Sequence, residues 1–255
     1  MPNRKAEGLL LLFKEKLDLS RVFSYKTVER AYENHDVRKL LDMLFSLTQD
    51  AVRDVEKEIA VDGTGLSRSM ERNYESDKKG GKKTKRYEKI VTAIGRRYKL
   101  FSSFHVMENP DGNESPMLPS MMEDSKGYSF LEVVSGDAGF LSRENCTAIE
   151  DLGAAPRLFP KRGITLKRKG SDAWIHMLHS FIRDTQEWLR EYHSRSIAES
   201  GYSIFKRDFP LPLRRRLRWR RRTEAFTRAC CHNLKRLCYL RYLFGIKPGF
   251  SSQLG

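Results

Sequence analysis

The chain has 255 residues, 39% hydrophobic and 32% charged, with 48 Lys or Arg against 33 Asp or Glu, a formal charge of +15. That apolar content suffices for one core of ordinary domain size and excludes wholesale disorder. No run approaches the ~20 apolar residues of a membrane span, and Leu9–Phe13 is too short and poorly flanked for a secretory signal, so an intracellular protein is expected.

Residues 1–58 read as a short helical N-terminal segment, with Leu40, Leu41, Met43, Leu44, Leu47 and Val52 at helix-like spacing. A strand begins at Ile59-Ala60-Val61 and is expected to stop at Asp62-Gly63-Thr64-Gly65. Arg68–Arg86 is basic and glycine-punctuated, the pattern of a loop. Lys89–Gly95 and Tyr98–Met107 predict a hairpin turning at Arg96-Arg97. A turn-rich stretch and a short helix at Leu118–Glu123 follow, then a strand at Phe130–Val134, a helix at Arg143–Asp151 and a strand at Arg157–Pro160. One long helical stretch is expected from Asp172 to about Arg207, and another over Thr223–Phe244. This order predicts a mixed α/β domain over 59–209, with 210–255 as a basic helical tail.

Cys146, Cys230, Cys231 and Cys238 show no paired C-x-x-C spacing, so they read as reduced structural thiols and not as a zinc or disulfide frame. Charge is concentrated late: residues 199–255 hold 14 Lys or Arg and 3 acidic residues. Such a segment repels itself unless a polyanion is near, which makes nucleic acid the leading partner and a membrane surface a poor one. The run Arg214-Arg215-Arg216-Leu217-Arg218-Trp219-Arg220-Arg221-Arg222 is placed to track a DNA backbone, with Trp219 able to stack on a base. Lys78–Arg86 is a second candidate DNA contact. His176 and His179 read as packing residues beside Trp174. Glu224 and Asn233 receive no role.

Three acids stand out by position. Asp62 follows one predicted strand, Asp137 another, and Glu199 lies on the long helix. Carboxylates brought together repel unless cations bridge them, and Mg²⁺ would both relieve that repulsion and activate water against a phosphodiester. On a continuous helix Tyr192, Arg195, Glu199 and Lys206 fall within a sector of ~60°, on the face continued from Trp174, Met177, Leu178, Phe181 and Trp188. Charges on that face need a ligand: a metal for Glu199 and phosphates for Arg195 and Lys206. A plain Arg195–Glu199 ion pair is the structural alternative.

Tyr192-x2-Arg195-x3-Glu199-x6-Lys206 resembles the signature of DDE transposases of prokaryotic insertion sequences, the insertion-sequence-four type. Ile59-Ala60-Val61-Asp62-Gly63-Thr64 is similar to their first acidic motif, and Gly136-Asp137-Ala138-Gly139-Phe140 with Asn145 to the second. The resemblance implies an RNase H-like mixed sheet flanked by helices, with Asp62, Asp137 and Glu199 holding two Mg²⁺ ions that Mn²⁺ can replace. It implies cleavage of transposon ends and strand transfer into target DNA, in a prokaryotic cytoplasm at the nucleoid, with a homodimer in the DNA complex. It assigns Tyr192, Arg195 and Lys206 to phosphates near the cut. The chain departs from many relatives in having only 61 residues before Asp62, with no helix-turn-helix or zinc pattern evident there. The expectation is therefore nicking with little sequence preference. A decayed non-catalytic remnant and a nuclease of the same fold without strand transfer stand as rival readings.

Overall fold

The computed structural model describes residues 3–68 and 87–245. Among these, three helices come first: α1 (Asn3–Leu12), α2 (Tyr25–Ala31) and α3 (His35–Asp50). Ser24 caps α2 through Thr27 N–H, and Asn34 caps α3 through Asp36 and Val37 N–H, which fixes where both start. The face of α3 that is buried carries Phe45, Thr48 and Gln49, whereas Leu40 and Met43 of the expected stripe are exposed.

The strands are β1 (Glu58–Ser67), β2 (Tyr87–Gly95), β3 (Phe101–Val106), β4 (Val133–Gly136) and β5 (Ala155–Leu158). They form one sheet in the order β3-β2-β1-β4-β5. β3, β2 and β1 are antiparallel, and β4 and β5 run parallel to β1. This is the RNase H-like mixed sheet. Between β3 and β4 lies α4 (Leu118–Asp124), and between β4 and β5 lies α5 (Arg143–Glu150). After β5 come α6 (Asp172–Arg183), α7 (Thr185–Tyr192), a 3-10 turn at His193–Arg195, α8 (Ser196–Asp208) and α9 (Arg218–Phe244).

Strand alternation divides the core between the two faces of the sheet. Ile59 and Val61 join a cluster with α5, α6 and α7, including Cys146, Ile149, Trp174, Met177 and Trp188. Ala60 and Leu66 join a second cluster with α3, α8 and α9, including Phe45, Phe205, Phe226 and Cys230. All four cysteines are free. No helix among the described residues is long and apolar enough to cross a membrane.

Several elements differ from expectation. β1 does not end at Asp62; it continues to Ser67 because β2 pairs with it over its whole length, Ser67 facing Tyr87. Neighbouring-strand hydrogen bonds thus override the local turn preference of Asp-Gly. β4 starts at Val133, and Phe130 is 59% exposed outside it. The long helix is broken twice, at Asp184, which caps α7 through Glu187 N–H, and at the 3-10 turn. α9 starts at Arg218, so the second half of the arginine run is helical and α9 contributes Ala225, Phe226, Ala229 and Cys230 to the core. His176 and His179 are exposed, not packed; His176 Nδ1 lies 2.9 Å from Glu150. On the helix they point away from Trp174, Met177 and Leu178, whose face is buried. The expected contact at Lys78–Arg86 lies outside the described residues.

Candidate functional site: a carboxylate pair beside an arginine

The parallel pairing of β1 with β4 runs from Glu58–Val133 to Val61–Gly136 and stops there. Asp62 and Asp137 are the next residues of the two neighbouring strands, so the sheet delivers the two acids side by side at one end. Asp62 remains in β1, paired with Thr92 of β2. By alternation it takes the face of Ala60 and Leu66, toward α8. Asp137 leaves β4 and caps a 3-10 turn, accepting Gly139 N–H at 2.7 Å. Asn145, buried on α5, fixes that turn by donating from Nδ2 to Phe140 O at 2.6 Å and to Ser115 Oγ at 2.8 Å.

Asp62 is half-buried, and desolvation pushes its carboxyl up to about 6. The Gly63 N–H and Arg195 work against that rise, while Asp137 and Glu114 add to it. Glu114 lies over Gly63, where a Cβ would stand 2.2 Å from its carboxylate, and is paired with Lys89 at 2.5 Å. Arg195 is desolvated, yet Tyr192, Asp62 and Asp137 keep its guanidinium charged beyond the ordinary arginine value. The guanidinium therefore sits in the field of both aspartates.

α8 is held on this end of the sheet by two contacts. Gly201 lets the helix approach β2 so closely that a Cβ there would meet Ile94 Cδ1 at 2.1 Å. Tyr202, 5% exposed, donates to Asp62 O at 2.6 Å and lies 2.7 Å from Thr92 Oγ1. One turn on, Lys206 Nζ donates to Thr64 Oγ1 at 2.6 Å. Partial desolvation lowers Lys206, and Asp62 counters it.

The predicted residues are thus partly assembled. Asp62, Asp137, Arg195 and Lys206 share one end of the sheet. Glu199 stands outside the pair: its side chain is 66% exposed, 3.6 Å from Arg195 Nη2, the ion pair that the sequence offered as an alternative. A cleft of about 210 Å³ lies here, lined by Tyr192, His193, Arg195, Ser196 and Glu199. The Tyr192 ring stacks on Trp188, centroids 5.4 Å apart, and meets Phe159 at a tilt, centroids 5.0 Å apart, while its hydroxyl side reaches Arg195. Among the described residues no three His, Cys, Asp or Glu side chains converge on a metal-sized point. The donor set nevertheless suits a hard cation, since two neighbouring carboxylates, one driven up by burial and mutual repulsion, are stabilised by added positive charge.

The arginine run is not one track. Arg214 and Arg216 are exposed. Arg221 is buried against Glu88 at 2.5 Å and donates to the carbonyls of Arg215 and Arg216. Glu224, 8% exposed, accepts the N–H groups of Arg214 at 2.9 Å and Arg215 at 3.1 Å. Trp219 is engaged through its indole N–H with Glu33 at 3.0 Å. Glu114 and Tyr202 had no signal in the sequence, because each acts through a contact distant in the chain, and Glu224, given no role from the sequence, serves as the acceptor that holds the Arg214–Arg215 backbone.

Residues 53–234 match the family described as "Transposase DDE domain". The chain is also 28% identical over 232 residues, 91% of its own length and 69% of the relative's, to an Archaeoglobus fulgidus protein described as "Probable transposase for insertion sequence element ISA1214".

Proposed function

Since the chain belongs to the transposase DDE domain family, we propose that it cleaves DNA at the ends of an insertion sequence and joins the freed 3′ ends to target DNA. The observation that carries this reading is that Asp62 and Asp137 stand side by side just beyond the last paired residues of β1 and β4, with both acids favouring the positive charge of Arg195. Phosphoryl transfer depends on positioning and charge compensation more than on a covalent nucleophile, and this end of the sheet offers both. Asp62, Asp137 and Glu199 would hold two Mg²⁺ ions, or Mn²⁺ in their place. When bound, such ions supply the charge that activates water and offsets charge building on the phosphodiester.

The remaining groups act on the DNA. Arg195 and Lys206 bind phosphates of the strand to be cut; eleven residues of helix span roughly 16 Å, a few nucleotides of backbone. Tyr192, anchored on Trp188, joins that contact and orients Arg195. Tyr202 holds the Asp62 backbone in register with β2. Arg214, Arg215, Arg216 and Trp219 extend the contact along double-stranded DNA. The function is exercised in a prokaryotic cytoplasm, by two copies on paired ends.

The test uses the purified chain and a DNA duplex carrying the element's terminal repeat. Asp62→Asn, Asp137→Asn and Glu199→Gln should each abolish Mg²⁺-dependent cleavage with duplex affinity nearly intact, and Ca²⁺ should support binding without chemistry. Undiminished cleavage by any one variant removes that residue from the site.

A further inference from the structure

The residues expected to meet DNA in the basic segment already carry an acidic partner. Glu33 Oε1 accepts Arg220 Nε at 2.7 Å and Trp219 Nε1 at 3.0 Å. Glu29 Oε1 accepts Arg220 Nη1 at 2.8 Å. The Arg215 guanidinium lies 4.2 Å over the Tyr32 ring and donates to Asn3 Oδ1. Two carboxylates on a guanidinium fork, one of them shared with an indole N–H, reproduce the chemistry by which arginine takes phosphate oxygens.

The acids belong to a segment with little else to hold it. Neither α1 nor α2 buries a single side chain. The two helices are joined to each other through Glu7, which accepts Tyr25 N–H at 3.1 Å, and through Arg4 over the Tyr25 ring at 5.3 Å. Apolar anchorage resumes only in α3, where Phe45 is buried, and at Val52 just beyond it. Residues 3–33 therefore rest on the basic segment mainly through partly exposed charge pairs and one ring contact, which are individually modest and fade with salt. A polyanion competes for the same donors with the added gain of counterion release.

We propose that Arg215, Trp219 and Arg220 form a binding site for a nucleic-acid backbone, closed here by residues 3–33 with Glu29 and Glu33 in the places of two phosphates. The inference rests on the reading that this chain acts on DNA, and it adds that DNA must displace the chain's own N-terminal helices to reach the full basic surface. The free protein thus binds duplex more weakly than its open form, by the fraction of molecules that are open.

Two measurements on the full chain test this. The first is amide hydrogen exchange with and without a 20-base-pair duplex: exchange over residues 25–33 should speed up on binding, although bound DNA ordinarily slows exchange where it sits. The second is duplex affinity of Glu29→Gln/Glu33→Gln against Glu144→Gln/Asp151→Asn, a control with the same charge change on exposed residues elsewhere. The first variant should bind about three- to tenfold tighter than the control. Equal affinities, or exchange over 25–33 that is unchanged or slower with DNA, overturn the proposal and leave DNA binding itself standing. Failure of every form to bind duplex overturns the function proposed above, and this inference with it.

Discussion

Replacing Tyr202 with Phe tests the joint between α8 and the first aspartate. The ring is retained, so no cavity opens, and the only group removed is the hydroxyl that donates to Asp62 O at 2.6 Å and meets Thr92 Oγ1 at 2.7 Å. Thr92 is fully buried and Tyr202 nearly so, so water does not replace the missing partner freely. Stranding a buried carbonyl and a buried hydroxyl costs about 1–3 kcal/mol. Burial, reinforced by the neighbouring Asp62, holds the phenol proton well above the ordinary tyrosine range, so the hydroxyl remains a donor into alkaline solution. Thr92→Val should cost a comparable amount alone, and the double variant should cost less than the two singles together, a coupling of about 1 kcal/mol. Urea unfolding of all four proteins, with the denaturant slope unchanged, measures this. Tyr202→Phe should also slow cleavage while leaving duplex affinity unchanged, the mark of a positioning residue. Additivity within about 0.3 kcal/mol would refute the reasoning, as would full cleavage by a destabilised Tyr202→Phe.

Glu224→Ala should destabilise the fold by about 2–4 kcal/mol, since two backbone N–H groups and Arg228 lose their acceptor. Trypsin should then cut at Arg214–Arg216 faster, and an unchanged rate would mean the loop is held otherwise. His232 is kept below its ordinary value of 6.5, first by desolvation, with the Lys99 carbonyl opposing. The unfolded chain then takes up the proton before the folded one, so this contribution is complete above about pH 6.5 and disappears as pH falls toward the folded value. His232→Gln should flatten the decline in stability between about pH 7 and about pH 5, and an identical slope would clear the ring of that role. Neutralising Arg214, Arg215 and Arg216 together should make the salt dependence of duplex affinity shallower by up to ~0.9 for each DNA phosphate that these arginines pair with; an unchanged slope would take them out of the DNA contact.

The sheet and its hairpin were legible because alternating apolar residues and turn signals are local, and Asp62 and Asp137 stood out because each closely follows a short apolar run. Beyond that, distant contacts decide. Asp62-Gly63 reads as a turn only while β2 is ignored; with β2 alongside, the same residues complete a ladder. The helical wheel drawn from Trp174 to Lys206 assumed one helix, and the breaks at Asp184 and His193–Arg195 rotate its later half. Hence Tyr192 keeps to the core and Glu199 turns outward, although both share one predicted sector. The arginine run shows the same limit: its charge is written in the sequence, but which arginines face solvent depends on Glu88, Glu33 and Glu29, at positions 133, 187 and 191 residues away from their partners.

Asn233 lies on α9 yet behaves as though it belonged to a sixth strand. Its amide oxygen accepts Phe101 N–H at 2.9 Å, and its amide nitrogen donates to Phe101 O at 3.0 Å, answering both main-chain groups of an outermost residue of β3. At the opposite margin β5 is four residues long and carries Pro156, which has no N–H to offer. Both open sides of the sheet are thereby blunted against the stacking of a second copy strand upon strand.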